Sequence, residues 1–238
     1  MLSGDHSSKL YDQELETIRS RVLQMGGLVE SQLRSAIDAY ERADMEMADG
    51  AIDTDDRVDA MQVDIDHMVN NVIARRQPTA GDLRLIMGVA KTITDLERIG
   101  DEASKIGRAA KWLNEKSAAG SRLVRMPDIR LCGDTAGQML RGALDSFARL
   151  DAVAAAAIIR EDQGIDDRFR AILRQLITFM MEDPRVISAA IDTIWVAKAI
   201  ERVGDHAKNI AEHVIFIAQG QDVRHVPPEV IAQAVREA

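Results

Sequence analysis

The sequence predicts an all-α protein built as two tandem three-helix bundles related by internal duplication. Hydrophobic residues make up 46% of the chain and aromatic residues only 3%, a balance that favours helices packed on helices over a sheet. Only five prolines occur in 238 residues, and the segments between them carry apolar residues at helical three-and-four spacing. One helical motif also occurs twice, at residues 97–101 and 201–205.

The first half of the chain contains three segments with helical periodicity. Helices are predicted over Tyr11–Ala43, over Glu46–Arg76, and from Thr79 or Ala80 to about Trp112. The second helix ends before Pro78, because a proline disfavours helical backbone at the residue that precedes it. We expect residues 1–10 to form a flexible N-terminus and assign residues 11–118 to the first three-helix bundle.

The second half repeats this plan after a polar stretch that contains Gly120 and ends at Pro127. Glycine and proline favour loops, and we assign residues 119–127 as a linker. Helices are then predicted over Asp128–Leu150, Ala152–Glu182 and Arg185–Gln219. These helices form the second bundle, residues 128–220, and residues 221–238 form a C-terminal tail that ends in one short helix.

Direct comparison of the two halves supports duplication. A shift of 104 places the ten residues 97–106 on residues 201–210, with six identities, and aligns Glu-Arg-Ile-Gly-Asp with Glu-Arg-Val-Gly-Asp. A shift of 107 aligns the acidic stretch 55–59 of the second helix with residues 162–166 of the fifth. The two shifts differ by three residues, which one shorter connection explains.

Each half carries two pairs of carboxylates at i, i+4 spacing, which places both members of a pair on one helix face. The pairs are Asp55/Asp59 and Glu97/Asp101 in the first half, and Asp162/Asp166 and Glu201/Asp205 in the second. If the helices that carry them pack antiparallel, the pairs face one another. Four converging carboxylates predict a site for a hard cation.

The identity of such a metal is open at this point: Mg²⁺, Mn²⁺, Ca²⁺, Zn²⁺ and ferric or ferrous iron are not distinguished. The alternative is an ion-pair network in which Arg98 or Arg202 neutralises the carboxylates. Oxygen-activating di-iron chemistry is disfavoured, because the Glu-x-x-His pairs that it requires do not occur in this sequence. No catalytic residue and no organic cofactor is predicted.

Three further features have structural explanations. Gly100 and Gly204 lie inside helices, where glycine is unfavourable, and predict close approach of a neighbouring helix. We expect the helical histidines, His67, His206 and His213, at the surface or its boundary. A basic stretch near the end of the third helix is either a solvated helix end or a docking site for an acidic partner; it comprises Lys105, Arg108, Lys111, Lys116, Arg122 and Arg125.

Charge and cysteine content restrict the function. The formal charge of −9 argues against a nucleic-acid partner, which needs a basic surface. The single cysteine, Cys132, cannot form an internal disulfide, and the first twelve residues lack an apolar leader, so we expect the cytoplasm. We expect no transmembrane helix, because no run of about 18 apolar residues occurs.

The repeated Glu-Arg-[Ile/Val]-Gly-Asp segments, the acidic pairs upstream of them and the two-by-three helix plan together resemble the PhoU family of phosphate-uptake regulators. The resemblance spans about Tyr11 to Gln219. It implies a cytoplasmic adaptor without catalytic activity that restrains the phosphate-starvation response and phosphate uptake.

The resemblance also implies the partners: the ATPase subunit of a phosphate ABC transporter and a sensor histidine kinase, with membrane association only through them, and a homodimer. It further implies metal binding by the eight carboxylates named above. The alternative function is a metal-binding helical bundle that serves as a metal store or a metal-dependent enzyme.

Overall fold

The computed structural model describes residues 3–118 and 126–237, and the regular structure in these ranges is entirely helical. It contains seven α-helices: α1 (Ser3–Arg42), α2 (Met45–Arg76), α3 (Ala80–Ala118), α4 (Pro127–Arg149), α5 (Ala152–Glu182), α6 (Ile187–Gln219) and α7 (Pro228–Glu237). A single 3₁₀ turn, Pro184–Val186, precedes α6. The predicted all-α class is confirmed.

The duplication extends to the turns that open α2 and α5. Asp44 caps α2 by accepting a hydrogen bond from the Met47 amide at 3.0 Å, and Asp151 caps α5 by accepting one from the Ala154 amide at 2.9 Å. A side-chain cap of this kind satisfies one of the free amides in the first helical turn. The residue before each cap adopts a positive φ, 55° at Ala43 and 51° at Leu150. The turn is therefore repeated in both sequence and backbone conformation.

Packing groups the helices in two sets of three. α1, α2 and α3 contact one another, as do α4, α5 and α6, while α3–α6 and α1–α4 contacts join the sets. One apolar core runs through both sets, so the division into bundles at residues 11–118 and 128–220 stays a prediction about folding units. The α3–α6 pair is antiparallel, since Gly88 lies against Ile217 at one end and Glu102 against Arg202 further along.

Several helix ends differ from the predicted ones. α1 begins at Ser3, inside the segment expected to be a flexible terminus, and no proline interrupts it. α3 continues to Ala118, beyond the predicted end near Trp112, because the residues that follow include good helix formers and neither glycine nor proline. Residues 119–125 of the predicted linker lie outside the described residues. In the tail, α7 packs on α5.

In residues 3–118 and 126–237, no helix has the length and apolar character required to cross a membrane.

Candidate functional site

The structure brings together the four carboxylates of the first repeat, where α2 and α3 pack side by side. Partial desolvation and the charges of Asp55 and Asp101 raise the pKa of Asp59 above its usual value. Partial burial and the charges of Asp101, Asp59 and Asp55 likewise raise the pKa of Glu97, although Arg98 opposes this effect. These four residues form what we call the first acidic face, and their mutual repulsion makes it a place that favours a cation.

A buried glutamine of α1 and a glycine of α3 bring the helices of the first acidic face close together. Gln32 donates through Nε2 to the carbonyl oxygens of Ala51 at 2.9 Å and Gly100 at 3.1 Å, and contacts Asp55 Oδ1 at 3.4 Å. A Cβ on Gly100 would lie 3.2 Å from Gln32 Oε1 and 3.3 Å from Val58 Cγ1. The predicted packing role of this glycine is confirmed. Gln32 was not predicted, because a polar residue in an apolar helix stripe gives no indication of its partners.

In the second repeat, Asp162 of α5 lies near Glu201 and Asp205 of α6, and these residues form the second acidic face. Burial and the charges of Glu201 and Asp162 raise the pKa of Asp205 above its usual value, against the opposing effect of two lysines. Asp166 is one turn further along α5 and pairs with Arg170 at 3.5 Å. A Cβ on Gly204 would lie 2.8 Å from Ile165 Cδ1, so this glycine also allows close packing of two helices.

Lysine side chains distinguish the two faces. In the second face Lys208 Nζ lies 2.7 Å from Asp162 Oδ2, and Lys198 Nζ lies 2.6 Å from Glu201 Oε1. The 104-residue shift places Ser104 and Thr94 at the corresponding positions of the first repeat. The second face therefore carries its own counterions at two positions where the first face has neutral residues. The aligned sequences show the two lysines, and the structure shows that they pair with these carboxylates.

Basic groups approach the first acidic face at longer range. Arg108 Nη2 is 3.8 Å from Asp55 Oδ2, Lys105 Nζ is 4.0 Å from Asp101 Oδ2, and Arg98 Nε is 3.6 Å from Glu97 Oε2. The network proposed as an alternative to metal binding is thus partly formed. Arg202, the other arginine considered for it, instead pairs with Glu102 at 3.1 Å.

The carboxylates of each face lie close enough to repel one another but do not converge on one point. Among the described residues, no group of three or more His, Cys, Asp or Glu side chains has an arrangement that could hold a metal ion as it stands. To bind a cation, the carboxylates of the first acidic face would have to move closer together. Rotation of the Asp59 and Glu97 side chains allows this movement. The carboxylate oxygens of the first acidic face are the type of ligand that a hard cation prefers.

The structure corrects the expected position of His213, whereas His206 lies at the boundary as expected. His213 is buried, and its Nε2 lies 2.9 Å from Asp95 Oδ2, while Nδ1 of the partly buried His206 lies 2.8 Å from Asp95 Oδ1. Asn209 donates to the same Oδ1 at 3.1 Å. Burial raises the pKa of Asp95, but the hydrogen bonds from His206, His213 and Asn209 outweigh it and hold the pKa below its usual value.

This Asp95 cluster joins α3 of the first repeat to α6 of the second. The sequence did not predict it, because the two histidines have no metal-ligand spacing and their shared acceptor lies more than a hundred residues away. The cluster fixes how the two repeats pack on each other, since its hydrogen bonds cross the interface between them.

Comparison with known proteins identifies the family. The model of the PhoU domain matches residues 22–110 and 129–214, that is, both repeats. The phosphate-specific transport system accessory protein PhoU of Escherichia coli K12 is 44% identical over 221 residues, which are 93% of this chain and 90% of that protein.

Two solved structures show the same fold. The crystal structure of PhoU from Pseudomonas aeruginosa has a TM-score of 0.85 and 44% identity, and covers 89% of this chain and 100% of that one. That of the phosphate transport system regulatory protein PhoU from Streptococcus pneumoniae has a TM-score of 0.82 and 26% identity, and covers 90% and 99% of the two chains.

The duplicated helical fold and the matches across both repeats define a regulatory accessory protein of phosphate transport rather than an enzyme. The chain belongs to the PhoU family. The resemblance noted in the sequence is confirmed, and the alternative of a metal-dependent enzyme does not apply.

Proposed function

We propose that this protein is a negative regulator of the phosphate-starvation response and of phosphate uptake. In this proposal it acts as a cytoplasmic adaptor between the ATPase subunit of a phosphate ABC transporter and a sensor histidine kinase. It reaches the membrane only through these partners, and binds no nucleic acid.

The observation that carries this proposal is the match to PhoU across both repeats, since it covers the whole duplicated unit and not one helix pair. The name of the Escherichia coli relative, accessory protein of the phosphate-specific transport system, agrees with a role beside a transporter. The two sets of three long helices expose extended faces, as an adaptor with two partners requires. The net charge of −9 agrees with the absence of a nucleic-acid partner.

Deletion of the gene tests the regulatory role. We expect alkaline phosphatase activity to rise in phosphate-rich medium, because the signal that keeps the response off is lost, and to fall again when the wild-type gene is supplied on a plasmid. The control strain carries the plasmid without the gene. A deletion strain that stays repressed in phosphate-rich medium would contradict the proposed role.

We also propose that the first acidic face binds a cation such as Mg²⁺, Mn²⁺, Ca²⁺, Zn²⁺ or iron, and binds it more tightly than the second. Burial and, after it, like-charge repulsion raise the pKa values of Asp59 and Glu97, and a bound cation would relieve the repulsion. At the second face, Lys198 and Lys208 already supply positive charge. The eight carboxylates predicted from sequence are therefore unequal in this proposal.

Elemental analysis of matched double variants tests this ranking. Glu97→Ala/Asp101→Ala should lose most of the bound metal, and Glu201→Ala/Asp205→Ala, the equivalent change in the second repeat, should retain it. Thr94→Lys introduces the lysine that the second repeat has at position 198, on an exposed turn, and should also reduce metal content. If both double variants hold as much metal as the wild type, neither face is a metal site.

The family resemblance also supports a homodimer, which we include in the proposal. Light scattering of the purified protein should give twice the 26.2 kDa of one chain. A mass of one chain at micromolar concentration would contradict it.

A further inference from the structure

The two tryptophans of this chain lie on the same groove between α3 and α6. Trp112 and Trp195 line a cavity of about 330 Å³, together with basic side chains from both helices. Their exposed fractions are 59% and 66%. We call this surface the tryptophan groove and define it by Lys105, Arg108, Trp112, Trp195, Lys198 and Arg202. Two exposed indoles in one concave site are unusual for a surface without a partner.

The duplication provides a comparison surface, because the antiparallel α3–α6 pair places an equivalent groove at its other end. There, the shift of 104 puts His213 in place of Ala109 and Asp95 in place of Ala199. His213 Nε2 and Asp95 Oδ2 form a hydrogen bond of 2.9 Å, and both residues are buried. The equivalent space is thus filled by a polar pair, whereas two alanines leave it open in the tryptophan groove.

The aromatic positions of the two grooves also differ. Phe216 and Lys91 stand where the tryptophan groove has Trp112 and Trp195. Lys91 Nζ lies over the Phe216 ring, 5.5 Å from its centroid, so the ammonium group of Lys91 covers that ring. The tryptophan groove lacks both the polar pair and the covering lysine, and carries a tryptophan at each of these two positions. Packing of the two repeats does not explain these differences, because the other end packs without them.

The charge of the tryptophan groove is opposite to that of the protein. Its lining includes four basic side chains against the carboxylates of Glu102 and Asp192. Lys198 also pairs with Glu201 of the second acidic face, which leaves a formal balance of +1 in a chain of −9. Glu102 lies between Lys105 Nζ at 3.0 Å and Arg202 Nη1 at 3.1 Å. Glu102 therefore pairs with one basic side chain from each helix at the rim of the groove. The groove favours an acidic occupant.

We propose that the tryptophan groove binds an acidic amphipathic helix of a partner protein. From Glu102 to Trp112 the groove follows α3 for about 15 Å, or roughly three turns of an occupant. The small floor residues, Ala109 and Ala199, are both buried and allow a third helix to approach closely. Tryptophan and arginine are the side chains most enriched among energetically dominant interface residues, and helices commonly bind in such apolar grooves.

Part of the basic stretch found in the sequence lines the tryptophan groove. Lys105 and Arg108 face the groove, whereas Lys111 pairs with Asp49 on α2 at 2.5 Å. The side chain of Lys116, and Arg122 and Arg125 altogether, lie outside the described residues. The inference rests on the proposed adaptor function, since it assigns a surface to one of the two partners.

Binding of the full-length protein to the purified transporter and to the purified full-length sensor kinase tests the groove. We expect Trp112→Ala, Trp195→Ala and Arg202→Glu each to weaken binding of the same one partner by at least about tenfold, which corresponds to loss of an interface hot spot. The matched controls are Met181→Ala, an 81% exposed apolar side chain on α5, and Arg174→Glu, an exposed charge on the same helix. Both should stay within twofold of the wild type.

The outcomes distinguish failure of the adaptor function from failure of the groove as its binding surface. If the wild type binds neither partner, the adaptor function fails and the inference falls with it. If the wild type binds but the tryptophan variants bind equally well, the inference alone is overturned. Circular dichroism spectra that match the wild type will show that the variants are folded, as expected for exposed positions.

Photo-crosslinking identifies the occupant. With benzoylphenylalanine in place of Trp195, we expect crosslinks to a helical segment of the partner rich in Asp and Glu; crosslinks to a basic or extended segment would overturn the proposal. Intrinsic fluorescence tests the small-molecule alternative, because both tryptophans lie in the groove. A saturable change on addition of ATP that also blocks the crosslink would assign the groove to a nucleotide and overturn the helix.

Discussion

Replacement of Asp95 by alanine tests the conclusion that one buried carboxylate contributes to the packing of the two repeats, beside their shared apolar core. Asp95 is 8% exposed and accepts from three groups of α6, at 2.8, 2.9 and 3.1 Å. Alanine removes the acceptor and leaves His213 and its neighbours in an interface that water reaches poorly. Buried donors without a partner are costly, so the loss should exceed that of an ordinary surface substitution.

The expected magnitude follows from the burial of the partners. A hydrogen bond to a charged group contributes about 1.5–3 kcal/mol, and His213 would lose its acceptor in a buried position. The His206 side chain is 23% exposed and can regain water in part, which places Asp95→Ala at about 3 kcal/mol. Asp95→Asn keeps the shape and one acceptor oxygen but loses the charge, and should cost about half as much.

Urea denaturation at pH 7 measures both values, with Asp64→Asn, an exposed aspartate on α2, as the control. Because the folded-state pKa of Asp95 is depressed, its contribution is present above the unfolded-state pKa and is lost as pH falls through the folded-state pKa. The difference between wild type and Asp95→Asn should therefore shrink on going from pH 5 to pH 3. A loss for Asp95→Ala below about 1 kcal/mol, or equal to that of the control, would refute the reasoning.

Three other substitutions test packing and charge. Gly164→Ala should stabilise the protein by up to about 1 kcal/mol in urea denaturation, because nothing lies within 4 Å of the added Cβ and alanine is the better helix former; a loss would contradict the open surroundings. Gly107→Ala should bring no such gain, since its Cβ would lie 3.1 Å from the backbone oxygen of Ala48, and equal gains at both positions would refute the steric argument. Lys208→Ala should cost about 1–2 kcal/mol at pH 7, a value reduced for solvent screening, because Asp162 loses its counterion at 2.7 Å; unfolding curves that coincide with the wild type would show that water already screens this pair.

Helix positions and the duplication were predictable because they depend on local periodicity and on direct comparison of the two halves. The start of α2 illustrates this, since the predicted first residue, Glu46, lies next to the observed first residue, Met45. The end of α3 was less predictable, because a polar stretch without glycine or proline is compatible with helix or loop. Boundaries of this kind depend on small differences in free energy that one sequence does not fix.

Contacts between the repeats were not predictable in the same way. Periodicity predicts which face of α6 is buried, but it does not predict that His213 lies opposite Asp95 rather than opposite another residue of the core. The same holds for Gln32, whose three acceptors are supplied by α2 and α3. The acidic pairs were predictable as pairs, whereas their unequal neutralisation depends on Lys208, which becomes informative only once its distance to Asp162 is known.

The places where the two repeats differ are the places to which we assign the proposed cation and the proposed partner. The turns at Asp44 and Asp151 are equivalent, and both repeats keep a glycine where helices touch, as folding of each unit requires. Elsewhere the equivalents diverge: Ser104 corresponds to Lys208, and Ala109 to His213. The first difference gives the second acidic face a counterion that the first lacks, and the second fills the space at one end of the α3–α6 pair while the tryptophan groove stays open. In the two proposals made above, the first acidic face binds the cation and the tryptophan groove binds the partner, each at one of two positions that the duplication makes equivalent.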